Sequence, residues 1–271
     1  MPPINLSLIP GYGFGVSYSR DIKPDSSQFK LHNHDDVYEL VLFVNGDAEF
    51  HAEGSIYKLK PYDMLITRPG ELHHIICVSK KPYERYVLYI SRDYLKNSSC
   101  AEFARIFEDR ALGEDNLIPA EIVRDSLLET FNRLYKYAAD KNYIVANAVL
   151  VEFLYLLNNA KKPPSRATAR DKRVVEIIKY INEHLSEPLK LDALAERFYI
   201  DKYHLCRIFK HSTGYTLNRY INYKRLLLVR ELHLQGQSLL EASTNAGFNN
   251  YSHFYRMYLK QNGEPPGKMK Q

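Results

Sequence analysis

Two hydrophobic patterns divide this chain. Over roughly the first hundred residues apolar and polar positions alternate in short runs; beyond them, apolar residues recur at three- and four-residue intervals. The alternating runs fall at residues 38–44, 48–52, 64–67 and 85–90, and turn signals such as Asn45-Gly46, Glu53-Gly54 and Arg68-Pro69-Gly70 separate them. A period of two turns one side of each strand toward a core, and closely spaced strands of this kind predict an antiparallel barrel or sandwich. Helical periodicity follows. Residues 101–107 predict a short helix, and residues 121–138 a long one carrying Ile122, Leu127, Leu128, Phe131, Leu134 and Tyr135. A further helix over 142–158 carries Ala146, Val149, Leu150, Phe153, Leu154 and Leu157. Two adjacent amphipathic helices predict an antiparallel hairpin packed on the strands, and their apolar surface also offers a seam for a second subunit.

Residues 161–170 lack periodicity and contain adjacent prolines, which predicts an exposed, partly extended linker. It divides a domain at 1–160 from another at 171–271. The second is all helical in pattern. Residues 173–184 place Val174, Ile177, Ile178 and Ile181 on one side, and residues 191–198, 202–212 and 217–234 predict further helices. Asp201 suits the N-cap of the third of these, and Gly214 its left-handed C-terminal cap. Residues 237–266 then repeat the 191–214 unit. Leu205, Arg207, Phe209 and Gly214 match Phe254, Arg256, Tyr258 and Gly263 at an interval of 49, while Leu191, Leu194 and Ala195 match Leu239, Ala242 and Ser243 at 48. One extra residue in the second turn accounts for the difference. Gly247 closes the penultimate helix, and Asn249 or Asn250 can cap the last one, where Phe254, Met257 and Tyr258 form the packing stripe.

Charge sharpens this division. Residues 1–160 carry 17 Lys and Arg against 22 Asp and Glu, whereas residues 170–271 carry 17 against 10. An excess of positive charge on the helical part suggests a polyanionic partner. Cys77, Cys100 and Cys206 are scattered without metal-type spacing, which predicts free thiols in a reducing cytoplasm. The N-terminus has no basic leader, and the most apolar stretch, 148–157, is interrupted by Glu152, so neither a signal peptide nor a membrane span is expected.

Candidate chemistry in the first domain lies in two pieces: His32 and His34 with Glu39 and Gly46, then Pro69-Gly70 with His73. The pattern H-x-H-x4-E-x6-G followed by P-G-x-x-H resembles the paired motifs of the cupin superfamily, with Tyr62 standing where a glycine is usual. That resemblance implies a small β-barrel in which His32, His34, Glu39 and His73 converge on the interior. They could bind a small organic effector, hydrogen-bond one another, or hold a divalent transition metal. His34 and Glu39 are separated by an odd number of residues, so a turn or bulge near Asp35-Asp36 is needed before Glu39 points inward. His51 and His74 read as surface or packing residues. Neither a Ser/His/Asp order nor a phosphate-binding glycine loop accompanies them.

The helical part resembles the paired helix-turn-helix domain of the AraC/XylS transcription regulators. The resemblance rests on Leu191-x-x-Leu194-Ala195, His204-Leu205-x-Arg207-x-Phe209-Lys210, Thr213-Gly214, Arg225, Gly247-Phe248, Phe254-x-Arg256 and Gly263-x-x-Pro266. It implies an α+β chain of two domains: a cupin-like antiparallel β-barrel with a helical hairpin, then an all-α double helix-turn-helix. The implied DNA contacts are Tyr203, Cys206, Arg207 and Lys210 in the first unit, and Tyr251, Ser252, His253 and Arg256 in the second. Arg suits bidentate contact with guanine, and surrounding cations suit the phosphates. An 18-residue spacer helix spans roughly 27 Å, which could hold two recognition helices near one DNA turn apart. Expected partners are double-stranded DNA, an effector such as a sugar or related metabolite, a second copy of the chain, and RNA polymerase where the protein activates. Two other functions fit parts of the sequence: a metal-dependent cupin enzyme, and a ligand-independent DNA-binding protein.

Overall fold

A computed structural model describes residues 8–24, 34, 36–97, 99–160, 168–169 and 172–268. These residues divide into two compact units, with the boundary along the chain between Thr168 and Ala169. His32 and most of the linker lie outside the described residues.

The first unit packs two antiparallel sheets face to face, so the expected barrel takes the form of two apposed sheets. One contains β1 (Phe14–Asp21), β7 (Tyr83–Ser91), β2 (Val37–Asn45), β5 (Met64–Thr67) and β8 (Leu117–Ile118), in that spatial order; the other contains β6 (His73–Cys77), β3 (Ala48–Ala52), β4 (Ser55–Lys58) and β9 (Thr168–Ala169). The linker residues 168–169 therefore form a short edge strand. Strand β2 is buried over Val37–Phe43 because both of its faces are covered. Val41 and Phe43 join Phe50, Tyr57, Ile75, Tyr83 and Val87 between the sheets, while Tyr38, Leu40 and Leu42 point the other way. That second face receives the helices. Helix α1 (Arg92–Asn97) follows β7, and the predicted 101–107 helix splits into a 3-10 turn, Ala101–Ala104, and α2 (Arg105–Glu108).

The long predicted helix begins as α3 (Ala120–Ile122), widens to π geometry over Val123–Leu127, and continues as α4 (Leu128–Ala139). A wider turn keeps residues four apart in line, and Val123, Leu127 and Phe131 are all fully buried. Helix α5 (Tyr143–Asn159) pairs with α4. Phe131 meets Phe153 edge to face at 5.6 Å. Among the described residues, no helix is long and apolar enough to cross a membrane.

The second unit contains α6 (Lys172–Glu183), α7 (Leu191–Arg197), α8 (Lys202–Thr213), α9 (Leu217–Leu234), α10 (Leu239–Asn245) and α11 (Tyr251–Asn262). The caps follow local chemistry. Asp201 accepts from the amides of Tyr203 and His204, Asn250 caps α11, and Gly214 and Gly263 end their helices at φ 75°. Ser238 and Glu241 form a reciprocal capping box at the start of α10. Leu205, Phe209, Phe248 and Phe254 are buried as expected. Helix α9 joins the two repeated units: Phe209 packs edge to face on Tyr220, and Leu226 and Val229 share a core with Ala242, Phe248 and Phe254. Arg225 donates from Nε to the carbonyl of Leu185 (2.9 Å) and from Nη2 to that of Glu187 (2.7 Å). Across this junction lies Gly247 at φ 89°, where an added Cβ would sit 2.4 Å from the Leu185 oxygen. Only glycine fits there.

Candidate functional site

Between the sheets, one cluster gathers the polar residues of both sequence motifs. Strand β2 starts at Val37, after a bend at Asp36, so His34 precedes the strand and Glu39 shares the inward face of Val41 and Phe43. The Gly70 amide donates to the His34 carbonyl at 2.9 Å, which ties the two motifs together. Glu39 Oε2 lies 2.8 Å from His73 Nε2 and 3.5 Å from His34 Nε2. His73 Nδ1 is 2.8 Å from the carbonyl oxygen of Glu71. Both neighbours of the His73 ring are acceptors, an arrangement that favours a ring protonated on both nitrogens.

Burial alone would push Glu39 toward its neutral form. The hydrogen bond from His73 and the nearby imidazole of His34 outweigh it and hold the carboxyl well below the usual range. Burial likewise opposes the charge on His73, and Glu39 overcomes it and raises the pKa. One ligand atom from each of His34, Glu39 and His73 lies within 4.8 Å of the others, a separation that ligands of one divalent ion can occupy. An ion there would have to displace the Nε2 proton of His73.

Three further residues shape this interior, and the sequence motifs did not mark them. Tyr89 sets its ring 5.2 Å from His34. Its phenol is pushed up by burial and then by the Glu39 charge. Arg85 lies over the Tyr83 ring at 5.4 Å; burial works against its charge, but Tyr83 and Glu39 outweigh burial and raise its pKa. Alternation along β7 was the available signal, since residues 83, 85, 87 and 89 share one face. Glu71, inside the P-G-x-x-H motif, is fully buried and paired with Arg110 through both carboxylate oxygens. It also accepts from the Gly113 amide at 2.8 Å. Burial raises its pKa and Arg110 more than reverses this, lowering it to about 2. The pair braces the loop from which His73 enters. His51 is buried and paired with Glu49 at 3.2 Å, so it is a packing residue. Tyr62 adopts φ 75° in the glycine-type position. A cavity of about 570 Å³ lies elsewhere in this unit, lined by Phe103, Ile106, Arg110, Tyr155 and Asn158 among others, and shares no residue with the histidine cluster.

A contrasting surface occupies the helical unit. On α8, Tyr203 is 84% exposed, Arg207 and Lys210 are exposed, and Cys206 is half-buried. On α11, Ser252 and Arg256 are exposed. Tyr251 and His253 are half-buried, with Tyr251 packed against Phe254 at 5.4 Å and His253 edge to face on Phe248 at 5.6 Å. The sequence pattern alone gives both residues to the outer face; aromatic packing draws their rings partly inward. Each unit therefore presents a basic helix with one arginine in the same repeat position. Exposed guanidinium groups on a helix flanked by capped N-terminal amides can contact bases and phosphates.

Comparison with known proteins matches both regions. A model of the AraC-like ligand binding domain matches residues 14–135, and a model of a helix-turn-helix domain matches residues 194–271. The regulatory protein SoxS of Salmonella typhimurium (strain LT2) is 30% identical over 91 residues, covering 33% of this chain and 85% of that protein. The HTH-type transcriptional activator RhaS of Escherichia fergusonii is 31% identical over 104 residues, 37% of each chain. The uncharacterized HTH-type transcriptional regulator YfiF of Bacillus subtilis (strain 168) is 21% identical over 248 residues, which cover 88% of this chain and 77% of that protein.

Proposed function

The chain belongs to the AraC family of DNA-binding transcription regulators, with an AraC-like ligand binding domain, and we propose that it reads DNA with α8 and α11 under the control of a small molecule bound between its sheets. The observation that carries this reading is the repeated surface: Arg207 and Arg256 occupy equivalent, exposed positions on two capped helices. In this reading Tyr203, Cys206, Lys210 and Ser252 flank the two arginines at the base edges, and Tyr251 and His253 contribute from the half-buried rim. Helix α9, roughly 27 Å long, spaces the two readers for successive major grooves, which lie roughly 34 Å apart. The work is regulatory, without a catalysed reaction, and takes place in the cytoplasm where the DNA lies.

Selection from a randomised duplex library tests the DNA reading. Two half-sites about one helical turn apart are expected, and Arg207→Ala and Arg256→Ala should each blur a different half-site. Enrichment without any sequence preference would defeat it.

For the effector, Glu39, His34, His73 and Tyr89 offer a carboxylate, imidazoles and a phenol close to the aromatic rings of Phe50 and Tyr83. Such a lining suits a sugar or related polar metabolite, whose hydroxyls accept and donate hydrogen bonds. Thermal-shift screening by metabolite class tests it, and His73→Leu should abolish any stabilisation found. The three donors also allow a second reading, a bound divalent ion, which metal analysis of the purified chain decides.

Dimerisation through α5 completes the mechanism. Ile144 and Tyr155 are 75% and 56% exposed, and with Ala148 and Val151 they form a stripe at intervals of four, three and four. The opposite face of α5 packs on α4 and on the short helical turns beside it, and the exposed end residues of this stripe are where a second copy would dock. Two copies would place four recognition helices on one operator, and the effector would select between their arrangements through its differential affinity. Where the bound regulator activates, RNA polymerase is its further partner. Ile144→Glu should yield monomers in sedimentation velocity.

A further inference from the structure

The two recognition helices present their arginines in different ways. In α11 the Asn250 side chain accepts from the His253 amide at 2.8 Å, and the His253 ring then turns onto Phe248 at 5.6 Å and 72°. Arg256 makes no side-chain hydrogen bond or ion pair among the described residues. In α8 the cap is equivalent: Asp201 Oδ1 accepts from the Tyr203 amide at 2.9 Å and the His204 amide at 3.0 Å. The imidazole of His204, however, meets Arg207, whose Nη2 lies 2.9 Å from His204 Nδ1.

Sequence accounts for the divergence. His204 and His253 are the same repeat position, 49 residues apart, as are Arg207 and Arg256. The buried turn residue before them is Phe248 in the second unit and Ile200 in the first, 48 residues apart. Asn249 is the extra residue of the second turn. A phenyl ring gives His253 an edge-to-face partner. Isoleucine offers none, and His204 is left to the guanidinium one helical turn onward, where side chains three apart are neighbours.

We propose that His204 is a positioning residue for Arg207, so that the first unit meets DNA with its arginine already ordered while the second orders Arg256 on binding. The contact requires a lone pair on Nδ1, hence the tautomer protonated at Nε2. It occupies one of the five guanidinium N–H donors and leaves four, enough for a bidentate contact with guanine. The inference rests on the reading of Arg207 as a base contact.

The test uses the full-length chain, the duplex that the wild type enriches from a randomised library, and a mixed-sequence duplex as the non-specific probe. His204→Leu should weaken binding to the enriched duplex about three- to tenfold and leave non-specific binding and thermal unfolding unchanged. His204→Gln, whose amide oxygen can accept in place of Nδ1, should recover affinity to within about twofold of wild type. In the Arg207→Ala background, His204→Leu should have no further effect. An equal loss in both backgrounds would mean that His204 touches DNA itself, and positioning would be refuted with the base contact intact. If Arg207→Ala alone leaves the enriched duplex bound as before, the base contact itself is wrong.

Discussion

The two units use charge in opposite directions. In the first, Glu39, Glu71, His73 and Arg110 are buried and paired with one another or with backbone groups. In the second, Arg207, Lys210 and Arg256 face outward and leave most of their donors to solvent. A buried ion that loses its partner costs the fold several kcal/mol, whereas an exposed one costs little until a ligand arrives. Polar residues of the sheets should therefore register in stability, and those of the helices in binding.

The largest expected effect is at Glu71. Glu71→Gln would leave the Arg110 guanidinium buried without its carboxylate, and should destabilise the first unit by about 3–5 kcal/mol. The wild-type pair also predicts a pH dependence. A carboxyl held down to about 2 contributes stability that is fully present above the ordinary range near 4.5. That stability is lost as the pH falls from there through about 2. Acid titration of the folded signal should lose this component in Glu71→Gln; an unchanged profile would mean that the pair does not hold the loop.

Next comes a control from packing in the other unit. Gly247→Ala forces a Cβ against the Leu185 oxygen at a left-handed φ, and should cost more than about 2 kcal/mol by thermal unfolding. That loss would come from backbone geometry rather than charge, so it bounds how far the contrast between the units extends.

Binding effects follow. Arg207→Ala and Arg256→Ala should each remove about 1–3 kcal/mol of specific affinity in a mobility-shift assay, with the unfolding midpoint unchanged. A fall in stability of the same size would erase the contrast, because it would make these arginines part of the fold.

The smallest effect is at Tyr199, which holds φ 52° at the repeat position where the second unit has Gly247, and is 97% exposed. Tyr199→Gly should stabilise the protein by up to about 1 kcal/mol. If it instead weakens DNA binding, Tyr199 joins the reading surface.

Much of the second unit was legible in the sequence. Caps, the two glycine stops and the arginine positions all depend on residues within one helical turn, and the 49-residue repeat cross-checked each of them. The sheet strands were legible for the same reason, since alternation is local: residues 48–52 and 64–67 match β3 and β5 to the residue. The cluster was only half legible. Motif spacing picked out His34, Glu39 and His73, while Arg85, Tyr89 and Glu71 carried no motif signal and depend on which strands lie opposite each other.

Local periodicity and turn chemistry, then, determined the elements, the division into two units, the family resemblance and the pairing of Arg207 with Arg256. Tertiary packing decided what each polar group does. It turned Glu39 inward by starting β2 after His34, enclosed Glu71 with Arg110 from 39 residues away, and sent two equivalent histidines to different partners. The reason is physical: a backbone hydrogen bond or a cap is satisfied within a few residues, whereas a side chain's environment is set by whatever the fold brings beside it.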